Sequence, residues 1–463
     1  MWCILIPLIG IRSMIVAAEA IPDNLSVKTL YPKSRDVIEG LKKHGVNIVS
    51  YACDGTQVER SIQDLLVSNA KCTISIKVPD PDPEEKDDYV IHIPMFGPGP
   101  GSPVVMVQDS KHALKTFRNN LFSGARALVL GNHISMYSQV WRIAFGDPPG
   151  PIYQRDVEKM DRQDDNAATR LFSAETLDFI TKHHPACLGL VVYLFIMGEV
   201  VDAYQGRTLS HLERIKMVLR CHYFLRLWKR FLQATGYAEK YCISREAQDI
   251  IEKLIDGLLA LVHVYRDHLQ GEYPLLLWLH ATELCEHIFA ECRKLIKDFT
   301  HLNFLFMTVR LHILVHAAAT FSRGTDPKAR AMGYSHSYLD PETAELKSLA
   351  TFPADDEIEA AAGEAWEEAI ALLDLLGIQS TDITRPSPSN NTNLSNPPQG
   401  TSESDETSDE EDNQVEKEVG VLQYLVDMQQ SPEWDAVDEE TQKKLHTLLC
   451  AATALDIEDQ EKL

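Results

Sequence analysis

The chain reads as a mixed α/β protein, mainly helical, and three observations predict this class. Residues 1–136 hold short apolar runs bounded by Pro, Gly and Asp, the pattern of strands with connecting helices. From about 137 to 280 the apolar residues recur at helical spacing and strand signals nearly vanish. From Asp340 onward there are 31 acidic and 6 basic residues, so the formal charge of −24 belongs almost wholly to that part. The preceding 339 residues are close to neutral, with 37 acidic and 38 basic side chains. A pI near 5.1 argues against a nucleic-acid partner for the average surface, but a neutral body is decided by its local patches.

The elements follow in chain order. Residues 1–10 and 13–18 read as strand remnants; Pro7, Gly10 and Arg12 interrupt the apolar run and no basic region precedes it, which disfavours a secretory leader. A second apolar run, Val46 to Cys53, ends on Asp54 and Gly55, an aspartate at a strand end. Residues 79–88 and 97–101 are exposed loops, and the Pro-Gly run lacks the Lys-Ser/Thr that follows a phosphate cradle. Val104 to Val107 is a compact buried strand, after which Asp109 and Ser110 can cap a helix. For Asp109 both a capping role and a metal or catalytic role stay open. On that helix His112, Lys115 and Asn119 share one face while Leu114, Phe117 and Leu121 mark the apolar side.

Further on, the apolar run 187–198 is bounded by His183, His184, Glu199 and Asp202 and reads as a buried helix, too short for a membrane span. Residues 214–232 form a helix with cations at Arg214, Lys216, Arg220, Arg226, Lys229 and Arg230. Such a helix either contacts DNA phosphates without reading bases or packs in a core with its long stems reaching water. Ser244 caps the helical run 244–263. Glu283 and Glu286, three apart on an amphipathic helix, are either a solvated face or part of a carboxylate site that a divalent cation holds together. Residues 300–380 look helical. From 380 to 412, Pro, Asn, Ser, Thr and acidic residues predict a disordered linker, and the amphipathic stretches 419–428 and 441–455 suit a small partner-binding hairpin. The Asn-x-Ser/Thr sequons headed by Asn390 and Asn393 carry meaning only in a secreted chain.

Nine cysteines with no Cys-x-x-Cys pair read as reduced thiols of an intracellular protein. Cys285 and Cys292 share a helix face that His287 does not, which disfavours zinc. No Gly-x-Ser-x-Gly motif supports a nucleophile-elbow hydrolase.

Four passages carry a resemblance: residues 50–60 around Asp54-Gly55, the run Asp109-x-x-His112-x-x-Lys115-x-x-Arg118-Asn119 after its strand, residues 161–170, and Thr282-Glu-Leu-Cys-Glu-His287. Over roughly residues 15–320 the chain resembles fungal transposon-derived proteins, which are similar to P-element and THAP-type transposases and distantly to the hAT superfamily. The resemblance implies an RNase H-like core with a DDE metal site, here an incomplete sheet interrupted by a large all-helical insertion. It places Asp54 at the second catalytic Asp and Glu286 at the final Glu, with Glu283 at the preceding acidic position. Asp109, His112, Lys115, Arg118 and Asn119 match the motif after the next strand. It implies Mg²⁺ or Mn²⁺ on Asp54 and Glu286, two ions about 3.5–4 Å apart activating a nucleophile and stabilising the leaving oxygen. The family's first Asp has no match, because no acidic residue occurs before Glu19.

The expected organisation is therefore a partial core at 1–136, a helical insertion at 137–279, the region of the catalytic Glu at 280–325, a helical extension at 326–379, an acidic linker at 380–414 and a short helical tail at 415–463. The expected function is that of a truncated DDE-type transposase remnant that binds DNA with weak or no catalysis. The alternative is a non-catalytic domesticated scaffold for DNA or protein partners. His112, Lys115, Arg118, Asn119, Arg226, Lys229 and Arg230 are the expected DNA contacts. The further expectations are a homo-oligomer, protein partners for the acidic tail, no membrane, and a nuclear location.

Overall fold

The computed structural model describes residues 1–6, 14–20, 26–99, 101–122, 127–158, 161–236, 241–321 and 346–379, with the side chains of 315–321 left aside. The expected acidic linker, helical tail and sequons, and residues 326–345 of the expected helical extension, lie outside these. The chain is mixed α/β and mainly helical, as its patterning predicts. Its strands are β1 (Trp2–Ile4), β2 (Met14–Ala17), β3 (Ser50–Cys53), β4 (Thr73–Val78), β5 (Tyr89–Phe96), β6 (Ser102–Pro103), β7 (Val105–Gln108), β8 (Leu128–Leu130) and β9 (His133–Ser135). The helices through the middle of the chain are α1 (Val27–Lys43), α2 (Gln57–Ser68), α3 (Ser110–Phe122), α4 (Tyr137–Ala144), α5 (Arg155–Glu158), α6 (Asp165–Leu171), α7 (Ala174–His183) and α8 (Leu188–Gln205). They are followed by α9 (His211–Ala234), α10 (Arg245–His263), α11 (Glu283–Leu295), α12 (His301–Phe321) and α13 (Asp355–Leu375). Two compact units result. The first comprises Met1–Ala113, Val200–Leu219 and Asp249–Ala365; the second comprises Leu114–Glu199, Arg220–Gln248 and the described part of Trp366–Leu463.

The first unit is organised around the parallel pair β3 and β7, in register from Ser50 opposite Val105 to Cys53 opposite Gln108. The ladder runs one bond further at each end, since Val105 N–H donates to Val49 O at 2.9 Å and Asp109 N–H donates to Cys53 O at 2.9 Å. Asp54 and Asp109 therefore leave the same end of one ladder, each one residue past its last paired residue. Helix α2 begins with a capping box between Thr56 and Glu59 and sends the buried Gln63 across both strands. Its amide donates to Tyr51 O at 3.2 Å and Val107 O at 2.9 Å, so a polar side chain in the core is matched by main-chain acceptors. Ile38, Ile62, Leu66, Phe96 and Val104 form the apolar cluster between α1, α2 and the strands.

Against β7, helix α10 approaches closely at Gly257, where an added Cβ would lie 3.1 Å from the Met106 carbonyl oxygen. The segment between the two parallel strands folds as an antiparallel hairpin of β4 and β5, with Thr73 opposite Pro94 and Val78 opposite Tyr89, and its Pro- and Asp-rich turn is the predicted loop. The opening strands β1 and β2 pair antiparallel, in keeping with their reading as strand remnants. They pack on α11 and α12 through a cluster of Leu284, Ile288, Cys292, Phe304, Met307 and Leu311.

The second unit is helical apart from the β8–β9 hairpin. Two large side chains in its core bring polar tips that find main-chain partners: Tyr193 OH donates to Phe117 O at 2.7 Å and Trp228 Nε1 donates to Val129 O at 2.6 Å. The segment Pro185–Gln205 is long and apolar enough to cross a membrane, but 67% of its most apolar window is buried within the protein. It is a core helix, as the run 187–198 predicts.

Candidate functional site at the β3–β7 ladder end

The site grows from the two strand-end aspartates of the first unit. Gly55, at φ 98°, turns the chain after Asp54 in a conformation that disfavours a side chain. Asp109 is nearly buried, at 4% exposure. Its Oδ1 accepts the first-turn amides of α3, from Lys111 N at 2.8 Å and His112 N at 3.2 Å, the capping role foreseen for it. Its Oδ2 reaches the start of α11, accepting Thr282 N–H at 2.8 Å and the Thr282 hydroxyl at 2.7 Å. All four near-lone-pair directions of this carboxylate are thus matched by protein donors.

The same Thr282 hydroxyl lies 3.3 Å from Asp54 Oδ1. One side chain, 228 residues from Asp54 and 173 from Asp109, joins both carboxylates. The structure consequently brings the Thr282-Glu-Leu-Cys-Glu-His287 turn to the strand-end aspartates. Around them stand two cationic or ionisable groups of α3: His112 Nδ1 is 3.1 Å from Asp54 Oδ1 and Lys111 Nζ is 2.8 Å from Glu283 Oε1. Glu283 also lies 3.7 Å from His287 Nε2. Glu286 is exposed, one turn into the helix. Both Glu283 and Glu286 stand in the first turn of α11, where the helix dipole favours negative charge.

A hydrogen bond from Cys3 lowers the Cys285 thiol below the usual range, while burial and the charges of Asp54 and Glu286 push the other way. Behind the ladder, the Ser50 hydroxyl lies 2.7 Å from His280 Nδ1, and burial pushes His280 down to about 4. The ring is neutral near pH 7, and its tautomer decides whether Nδ1 accepts the serine proton or donates to the serine oxygen. Thr282, Lys111 and this Ser50–His280 pair carry no local sequence signal; only the long-range path of the chain reveals them.

The expected metal set of Asp54 and Glu286 finds limited support in donor geometry. Among the described residues no group of three or more His, Cys, Asp and Glu side chains converges to hold a metal ion. Asp109 is saturated by protein donors, Glu283 is paired with Lys111, and Asp54 faces His112 and Thr282. The carboxylates do not fit a preformed two-ion centre, which needs oxygens open toward a shared point.

Several expected DNA contacts have other places. Arg118 is 1% exposed and donates to Asp161 O and Asp156 O, both at 2.9 Å. Lys115 is buried and paired with Asp165 at 3.1 Å, and the Asn119 Oδ1 is buried. Arg118 and Lys115 tie α3 to the 156–165 segment within the second unit, because a helix face beside a strand end can be covered by a later segment that no local pattern announces. The basic helix is a core helix. In the first unit Arg214 is fully buried and donates to the carbonyls of Ala203, Gly206 and Leu209, with burial pushing it down to about 10. In the second, Arg220 pairs with Glu199 and Glu368, and Arg226 lies over the rings of Tyr223 and Trp366 at 5.2 and 5.5 Å. Lys229 and Arg230 are half-buried.

No protein-family model and no curated protein matches the chain. A solved structure to which it is similar is a Drosophila P element transposase strand transfer complex, at 15% identity and a TM-score of 0.42. The similarity covers 63% of this chain and 64% of that one, so the chain spans less than two thirds of the length of the protein it matches.

Proposed function

We propose that the chain is a transposase-derived DNA-binding protein whose carboxylate site is catalytically weak or silent. The observation that carries this reading is the Thr282 bridge, which joins two aspartates from the same ladder end to the turn bearing Glu283 and Glu286. Parallel strand ends met by a distant acidic helix supply the scaffold that metal-dependent phosphoryl transfer uses, oxygens brought together from separate elements.

A second reading, a non-catalytic scaffold, is favoured by the same contacts. Lys111 pairs with Glu283, Thr282 donates to Asp109 and His112 stands against Asp54, so protein groups already occupy positions that divalent cations would otherwise take. DNA contact then falls to exposed cations of the first unit. Arg293 and Lys294 at the end of α11, the latter paired with Glu291, and Lys297 just past it are exposed and offer sequence-independent phosphate contact. Fluorescence anisotropy on a labelled duplex across a salt series tests it. Binding that weakens with salt, with the slope reduced by up to about three units in Arg293→Ala/Lys294→Ala/Lys297→Ala, supports the reading. No binding at low salt refutes the DNA-binding function.

A further inference from the structure

Helix α12 has two apolar faces, and among the described residues only one of them is covered. Phe304, Met307 and Leu311 are buried against α11 and the β1–β2 hairpin. On the other side Leu302 is 61% exposed, Leu305 55%, Phe306 80%, Val309 75% and Ile313 63%. These positions recur every three or four residues, so they form one continuous stripe along the helix. Taken together they present roughly 500–600 Å² of apolar surface, the upper end of what a soluble monomer displays in one patch.

We propose that this stripe is a two-fold interface at which α12 packs antiparallel against α12 of a second copy of the chain. The shape of the surface selects the partner. A single exposed helix is a convex ridge, so it offers no groove for an extended peptide but meets another helix by ridges into grooves. The stripe is also self-complementary about its middle, between Met307 and Thr308. An antiparallel pair sets Leu302 opposite Ile313 and the large Phe306 opposite the smaller Val309, the size alternation that lets facing layers interdigitate. The one charge beside the stripe, the exposed Arg310, then falls opposite Leu305. Its stem covers that leucine while its head stays in water, whereas a parallel pair would set the two Arg310 side chains against each other. A membrane surface is the poorer match, because the opposite face of an interfacial helix is basic and solvated, while that of α12 is core. Pairing two stripes buries about 1,000–1,200 Å², the lower edge of specific interfaces, so the dimer is weak and concentration-dependent.

Sedimentation velocity of the full chain from about 1 to 100 µM tests the interface. The expected result is a mass rising from 52.1 kDa toward twice that value. Phe306→Glu and, separately, Val309→Glu should each hold the chain at the monomer mass, with unchanged far-UV circular dichroism because both side chains are exposed. A wild-type chain that stays monomeric throughout overturns the proposal. So does a dimer indifferent to both substitutions, and so does a monomer that instead cosediments with anionic phospholipid vesicles.

Discussion

Replacing Asp109 by Asn tests whether this carboxylate is the bolt that fastens α11 to the ladder end. Asn is itself a good helix cap, so its carbonyl oxygen keeps the bonds to Lys111 N and His112 N and the α3 end survives. Its NH₂ then faces two donors, the Thr282 N–H and hydroxyl, where Asp109 Oδ2 accepted both at 2.8 and 2.7 Å. Two hydrogen bonds to a charged, nearly buried acceptor are lost and donor is set against donor, a cost of about 2–3 kcal/mol at the start of α11. The readout is amide hydrogen exchange across residues 280–295. At 1.4 kcal/mol per factor of ten, exchange there should accelerate about thirty- to one-hundred-and-forty-fold, while the core amides of α2 stay as slow as before. Thr282→Val, which keeps the N–H and the shape but removes the hydroxyl, should give a smaller effect of about 1 kcal/mol. The two changes should couple, their combination costing less than their sum, because they remove the same contact. If Asp109→Asn exchanges no faster than a control substitution at the exposed Asp298, the clamp is refuted.

His211 makes the fold acid-sensitive: it is 1% exposed, its Nε2 bonds Leu349 O at 2.9 Å, and burial pushes it down to about 4. In the unfolded chain the ring titrates near 6.5, so only the unfolded state takes up the proton between those values. Stability contributed by this residue is complete above about pH 6.5 and falls as the pH drops toward 4, by up to about 3 kcal/mol; urea midpoints of His211→Gln should show a flatter decline, and equal slopes would refute the assignment. Arg214→Met should lower stability by about 3 kcal/mol or more, since three carbonyls lose their buried donor. The loss is read by urea unfolding, and a neutral result would return that arginine to a surface role.

What the sequence disclosed and what it hid follow one division. Local patterns were sufficient for Asp54 at the end of β3, for Asp109 as the cap of α3, for the buried α8 and for the Ser244 cap, whose hydroxyl accepts Ala247 N–H at 3.1 Å. Each depends on neighbours a few residues away. Thr282 had no such signal, because its partners are 173 and 228 residues distant and a threonine before a helix is ordinary. The cations of α9 misled for the same reason. Their spacing describes a charged helix but not the Glu199 and Glu368 carboxylates or the 203–209 carbonyls that receive them. The β4–β5 hairpin is weakly signalled because its Pro- and Asp-rich turn is a strong local loop pattern beside short alternating flanks.

The central claim is that Asp54, Asp109 and Glu283 at the β3–β7 ladder end are met by protein donors and therefore do little chemistry. It is tested most directly by incubating the purified chain with supercoiled plasmid in Mg²⁺ or Mn²⁺ and following nicked circles. The account predicts nicking no greater than that of Asp54→Asn. Robust nicking by the wild-type chain, abolished by Asp54→Asn or Glu286→Gln, would contradict it.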